Sequence, residues 1–272
     1  MRSLPEPQKR ALQCCVDVAR ERDDFSLGIF GSVASGECDE YSDLDLVCVR
    51  DPPGEARLTA EQFGAITGRI GDVLVQFDAS HLGRSNMYVA YITHQGRMVK
   101  VDASMIVAGD VLALPTLPIK LHDPENRFGR VTFTVDVSVD ARVLLEKMCG
   151  WLWYSFARIA RGEYFAGARA IDYARENALL PVILHRLGFP QGGHRRIESR
   201  LPEALVTALR ETHPDALEKD KLLACLEALY VLTRQELQLQ ENAFPHLPPI
   251  LERVWEHIQA SMQTISTTPL RP

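Results

Sequence analysis

The chain has 272 residues, 46% hydrophobic and 24% charged, enough apolar material for one large domain or two ordinary ones. Its formal net charge is −6 with a pI near 5.8, the wrong sign for a protein that grips nucleic-acid backbones. Residues 1–125 hold about 19 acids against about 12 lysines and arginines, so the acidity lies in that half.

Ala11, Leu12, Cys15, Val16 and Ala19 recur at helical spacing and predict a first helix over 6–22. Leu27–Phe30 reads as a short strand ending at Gly31-Ser32, and Val33–Gly36 has room only for a short helix before a polar loop at 37–42. The next strand is expected at Asp43–Val49, followed by a loop through Pro52-Pro53-Gly54, a helix over 59–71 and a strand in DVLVQFDA, residues 72–79. Two alternating runs flank Gln95-Gly96 and predict a hairpin over 86–108. This half reads as α/β with a mixed sheet. After Pro115 and Pro118 the period becomes helical, with helices expected at 136–161, 164–187, 201–211, 217–240 and 248–264. The aromatic stripe Trp151, Trp153, Tyr154 and Phe156 is expected to pack in a core. The chain thus divides into an α/β domain at 1–125 and an all-α helical bundle domain at 126–272. Six cysteines without Cys-x-x-Cys spacing, no apolar leader and no apolar run of roughly 18 residues lead to the expectation of a cytoplasmic protein without a membrane segment.

The chemistry concentrates in GIFGSVASGECDEYSDLDLVCV, residues 28–49. Asp is a poor strand former, yet Asp43 and Asp45 open an apolar strand. Period two places both carboxylates on one face while Leu44 and Leu46 pack on the other. Like charges held together repel unless a cation sits between them. Mg²⁺ suits hard oxygen ligands. Gly31 permits close backbone approach to a phosphate, consecutive N–H groups at a helix start form an anion nest, and Ser32 adds a hydroxyl donor. The expected partner of the two acids is therefore metal plus triphosphate. Asp102, on the face opposite Val99 and Val101, offers a third carboxylate if its strand lies beside Asp43 and Asp45. Asp72, Asp78 and Asp110 read as caps and turns.

Gly31-Ser32-x-Ala34-x-Gly36, five residues, then Ser42-Asp43-Leu44-Asp45-Leu46, resembles the signature of the DNA polymerase β-like nucleotidyltransferase superfamily. In size and layout the chain is similar to the aminoglycoside and lincosamide antibiotic nucleotidyltransferases, which pair this domain with a C-terminal helical bundle. The segment ARIARGEYFAGARAIDYARENALLPVIL, from Ala157 to Leu184, resembles their helical half more loosely. Strong resemblance covers about residues 25–110. It implies Asp43, Asp45 and Asp102 as catalytic residues and metal ligands, two Mg²⁺ ions, and Gly31, Ser32 and Ser42 at the nucleotide. The implied reaction is transfer of a nucleoside monophosphate, AMP from ATP, onto a hydroxyl of a small molecule, with release of pyrophosphate and a role in antibiotic resistance. Asp102 or a helical-domain acid such as Glu163 is the implied base, and Arg158 and Arg161 are candidates to meet the triphosphate. The acceptor, the choice of nucleotide and the oligomeric state stay open. The alternative is a nucleotide-binding antitoxin-like or regulatory module without small-molecule transfer, disfavoured by the chain length and the full set of acids. The tract GGHRRIESR at 192–200 stays ambiguous between a nucleotide-facing patch and a solvated helix end.

Overall fold

A computed structural model describes residues 4–22, 24–52, 60–80, 84–94, 96–135, 139–189 and 196–265. Gln95 of the expected hairpin turn, Pro53-Gly54, residue 59 of the helix expected over 59–71, residues 136–138 of the helix expected over 136–161, and residues 192–195 of the basic tract lie outside the described residues. The chain divides into two compact units, Met1–Asp136 and Val137–Pro272.

In the first unit, helix α1 (Glu6–Arg20) leads into strand β1 (Ser26–Phe30), the five-residue helix α2 (Gly31–Ser35) and strand β2 (Leu44–Arg50). Helix α3 (Ala60–Thr67) and strands β3 (Asp72–Ala79), β4 (Arg84–His94) and β5 (Arg97–Val107) follow. The six-stranded sheet has the order β3-β4-β5-β2-β1-β7, where β7 is Ile119–His122. Strands β2 and β5 run parallel while β1–β2, β1–β7, β3–β4 and β4–β5 are antiparallel, so the sheet is mixed.

Both faces of the centre of the sheet are buried, which explains the unbroken apolar run LVCV in β2. Leu44, Leu46 and Cys48 share a core with Val99, Val101, Ala103 and Met105 and with α1 and α3 residues such as Leu12, Cys15 and Phe63. On the opposite face Val47, Val49 and Ile106 pack with Leu114, Phe128 and Val131. Strand β6 (Val111–Leu114) pairs in parallel with β8 (Thr132–Val135) as a separate two-stranded sheet and holds residues up to 135 to this unit. Strands β6, β7 and β8 each have four residues, too few for alternation to be read from sequence.

The second unit is helical: α4 (Ala141–Ala160), α5 (Tyr164–Ala174), α6 (Leu180–Arg186), α7 (Ile197–Arg200), α8 (Glu203–Glu211), α9 (Lys219–Leu239) and α10 (Leu247–Ile265). Asp140 caps α4 by accepting from the Val143 N–H at 3.1 Å. A π-helical turn at Arg175–Leu179 joins α5 to α6 without a break, so the helix expected over 164–187 is continuous with one widened turn.

The expectation for the aromatic stripe needs correction. Phe156 is buried, whereas Trp153 and Tyr154 are 44% and 49% exposed. The core face of α4 is Leu145, Met148, Cys149, Leu152, Phe156 and Ile159, spaced by three and four. Residues 151, 153, 154 and 156 are spread round the helix at 100° per residue, so they cannot share that face.

Candidate active site

The site begins with strand register. Asp45 lies directly opposite Asp102 in the parallel pair β2–β5, and Phe30, the last residue of β1, lies opposite Asp45 on its other side. Asp43 immediately precedes β2, outside the strand. One carboxylate oxygen from each of Asp43, Asp45 and Asp102 lies within 4.8 Å of the others. Asp43 and Asp102 are each only 7% exposed.

A lysine serves this acidic cluster. Lys100 Nζ donates to Asp102 Oδ2 at 2.7 Å and to Asp43 Oδ2 at 3.1 Å. Burial works against the Lys100 ammonium, but the hydrogen bond and charge of Asp102, reinforced by Asp43, outweigh it and hold its pKa above the usual lysine value. Sequence reading passes over Lys100, although a signal exists: it stands two residues before Asp102 in one strand and so shares its face.

The loop before Asp43 is tied from below. Gln8 of α1, 1% exposed, donates through Nε2 to the Glu40 and Ser42 carbonyls at 3.0 and 3.2 Å. Ser42 turns into this loop. Its Oγ donates to Asp39 Oδ1 at 3.0 Å and accepts from the Asp39 N–H at 2.9 Å.

Gly31 has a φ of +68°, and a Cβ there would collide with Asp45 Oδ2. The glycine therefore makes room for the Asp45 carboxylate in addition to permitting the left-handed turn. Its N–H donates to Thr116 Oγ1 at 2.8 Å, a residue from the segment between β6 and β7 that carries no sequence signal for this role. The neighbouring Ser32 Oγ is buried and has no hydrogen-bond partner among the described residues. Gly36, φ +75°, ends α2 as a left-handed cap. Asp110 serves a turn, accepting from the Val107 N–H at 3.0 Å, and Asp78 accepts from the Ser80 N–H.

Residues 13–86 match the family model described as a nucleotidyltransferase domain. The chain is a transferase of phosphorus-containing groups. No curated protein matches the chain. The matched span of this nucleotidyltransferase domain contains Asp43 and Asp45, whereas Asp102 lies beyond it and joins them through the β2–β5 register. Three carboxylates are hard oxygen donors, and with one oxygen of each within 4.8 Å of the others this donor set fits a divalent metal. The domain and the acidic triad together fit metal-dependent transfer of a nucleoside monophosphate.

In the helical unit, Glu163 precedes α5 and pairs with Arg158 at 2.7 Å. Arg158 also donates to Tyr154 Oη at 2.8 Å and stands 4.7 Å from the Tyr154 ring centroid. Arg161 follows α4 as an exposed residue. No described helix is long and apolar enough to cross a membrane.

Proposed function

We propose that the protein is a Mg²⁺-dependent nucleotidyltransferase that moves AMP from ATP onto a hydroxyl of a small, cationic acceptor of aminoglycoside or lincosamide type. The observation that carries this reading is the meeting of Asp43, Asp45 and Asp102 at two adjacent strands of a unit that contains a nucleotidyltransferase domain. The acceptor oxygen forms a bond to the α-phosphorus while the bond from that phosphorus to the bridging oxygen breaks, and the electron pair leaves with pyrophosphate. Two bound magnesium ions would supply charge neutralisation and Lewis-acid polarisation of the phosphoryl oxygens. Asp43 and Asp45 would hold these ions, and Asp102 would help to hold them and would take the acceptor's proton.

Ser32 supports nucleotide binding because its buried hydroxyl can turn to a phosphate oxygen without breaking a hydrogen bond among the described residues. Gly31 shapes the same turn, and Ser42 contributes by ordering the loop that leads into Asp43. Glu163 is the weaker candidate for the base, since it would have to leave Arg158. A cationic acceptor is favoured by the acidic balance of residues 1–125, whose field attracts amines and repels nucleic-acid backbones. The helical unit takes the role of the C-terminal bundle of the antibiotic-modifying enzymes, and a cytoplasmic location suits a reaction that consumes ATP.

The test is pyrophosphate release by purified protein with each nucleoside triphosphate, Mg²⁺, and a panel of aminoglycosides and lincosamides. Calorimetry with ATP should show binding that depends on Mg²⁺ and weakens in Asp43→Ala. Equal binding in EDTA would overturn the metal assignment. Extension of RNA, with no small molecule accepted, would overturn the acceptor class.

A further inference from the structure

We propose that Lys100 is a built-in counter-cation that occupies the carboxylate cluster when metal is absent and must be displaced for metal to bind. The inference rests on the metal-binding reading of Asp43, Asp45 and Asp102 and adds a residue that competes for those same oxygens. Three observations carry it. The ammonium bonds one oxygen of Asp102 at 2.7 Å and one of Asp43 at 3.1 Å, so it bridges an acid of β5 to the acid that precedes β2. Those acids are 7% exposed, and water is a poor substitute for a cation at such depth. The lysine side chain is 30% exposed, so its flexible four-carbon stem has a route toward solvent.

An ammonium and a divalent ion cannot both bond these oxygens at close range without strong mutual repulsion. Metal entry therefore exchanges one cation for another. Two consequences follow from that exchange. In the metal-free protein Lys100 keeps Asp43 and Asp102 drawn together, so the cluster is assembled before metal arrives. The exchange also weakens apparent metal affinity, because bonds to Lys100 must be broken first. The site then fills when the metal arrives with the triphosphate, whose negative charge receives the released ammonium.

The experiment uses the full chain and Mn²⁺ as probe, with wild type, Lys100→Met and Lys100→Arg compared by calorimetry and by thermal melts in EDTA. Lys100→Met should bind Mn²⁺ without nucleotide about tenfold more tightly than wild type, since two charge-assisted hydrogen bonds no longer compete. The same variant should melt below wild type in EDTA and recover the difference on adding Mn²⁺. Lys100→Arg retains the positive charge and should stay closer to wild type in both measurements. If Lys100→Met binds Mn²⁺ no more tightly than wild type, or melts at or above it in EDTA, the counter-cation role is wrong while the metal site stands. If neither wild type nor variant binds Mn²⁺, with or without ATP, the metal-binding reading fails and takes this inference with it. A Lys100→Met protein that does not fold in EDTA but folds in Mn²⁺ supports the proposal; one that folds in neither, while Lys100→Arg folds, makes Lys100 a purely structural residue and overturns it.

Discussion

Buried charge is handled differently at Glu236 and Arg175 of the helical unit and at the acidic cluster of the first unit. In the helical unit Glu236 is 2% exposed and accepts a two-pronged bond from Arg186, Nε to Oε1 at 2.6 Å and Nη2 to Oε2 at 2.9 Å. The Gln240 amide adds a third donor at 2.7 Å. Arg175, 4% exposed, is likewise matched by the Thr212 carbonyl at 3.1 Å and by Asp172 at 2.6 Å. Charge there is paired and its geometry satisfied, which makes it part of the architecture. In the first unit three carboxylates from β2, β5 and the residue before β2 are gathered together, and Lys100 bonds two of them. Like charges held close cost stability that a bound cation restores.

The sharpest way to break this contrast is Asp45→Asn, which keeps shape and removes one charge. Pyrophosphate release should fall by about a thousandfold or more, since metal clamping contributes several kcal/mol to the transition state. In EDTA the variant should melt at or slightly above wild type. A clear drop in its melting temperature would make Asp45 a structural residue, as Glu236 is, and the contrast would vanish.

Gly31→Ala tests whether the Asp45 carboxylate needs the space beside the turn. The added Cβ collides with Asp45 Oδ2 at a φ of +68°, so activity should fall by about a hundredfold through misplacement. Chemical unfolding should register a loss of about 1–3 kcal/mol from the strained backbone. Wild-type activity in this variant would show that the carboxylate position is not critical.

The helical side of the comparison is probed by Glu236→Gln. It leaves Arg186 without its counter-charge and should cost about 2 kcal/mol in urea unfolding, below the full value for a buried pair because Arg186 is 27% exposed. Its Mg²⁺-dependent ATP affinity should match wild type. Weakened ATP binding in a well-folded variant would give this pair a functional role.

The smallest effect concerns pH. Burial and the hydrogen bond to Glu252 push the Tyr230 phenol up to about 12. The ordinary value is about 10, so the neutral phenol stabilises the folded unit fully below about pH 10, and this contribution fades as pH rises toward about 12. Urea unfolding of wild type and Tyr230→Phe across that range should show a stability difference that shrinks with pH. A difference that stays flat to pH 12 would contradict the raised phenol and leave its stacking on Trp255, at a centroid distance of 4.2 Å, as the main contribution.

Much of the site is legible in local sequence pattern. DVLVQFDA forms β3 over the same eight residues, because alternation and bounding turns are local signals. Asp43 and Asp45 stand out because acids at the head of an apolar strand contradict strand preference and so need a chemical reason. Asp102 is legible as a polar residue facing away from Val99 and Val101, whereas its neighbour Lys100, on the same face, is easily passed over as an ordinary solvated lysine. The aromatic run of α4 misleads when residue type is weighed above helical angle.

By itself the sequence determined which side chains share a face: Leu44 and Leu46 against Asp45, Val99 and Val101 against Lys100 and Asp102. That follows from the two-residue period of a strand, which depends on nothing distant. Only the tertiary structure decided that β5 runs parallel beside β2 with Asp102 opposite Asp45, that Lys100 reaches across to Asp43, and that Thr116 receives the Gly31 N–H. Strand order and register depend on packing between segments some 57 and 85 residues apart, and local periodicity carries no information about which remote strand will be the neighbour.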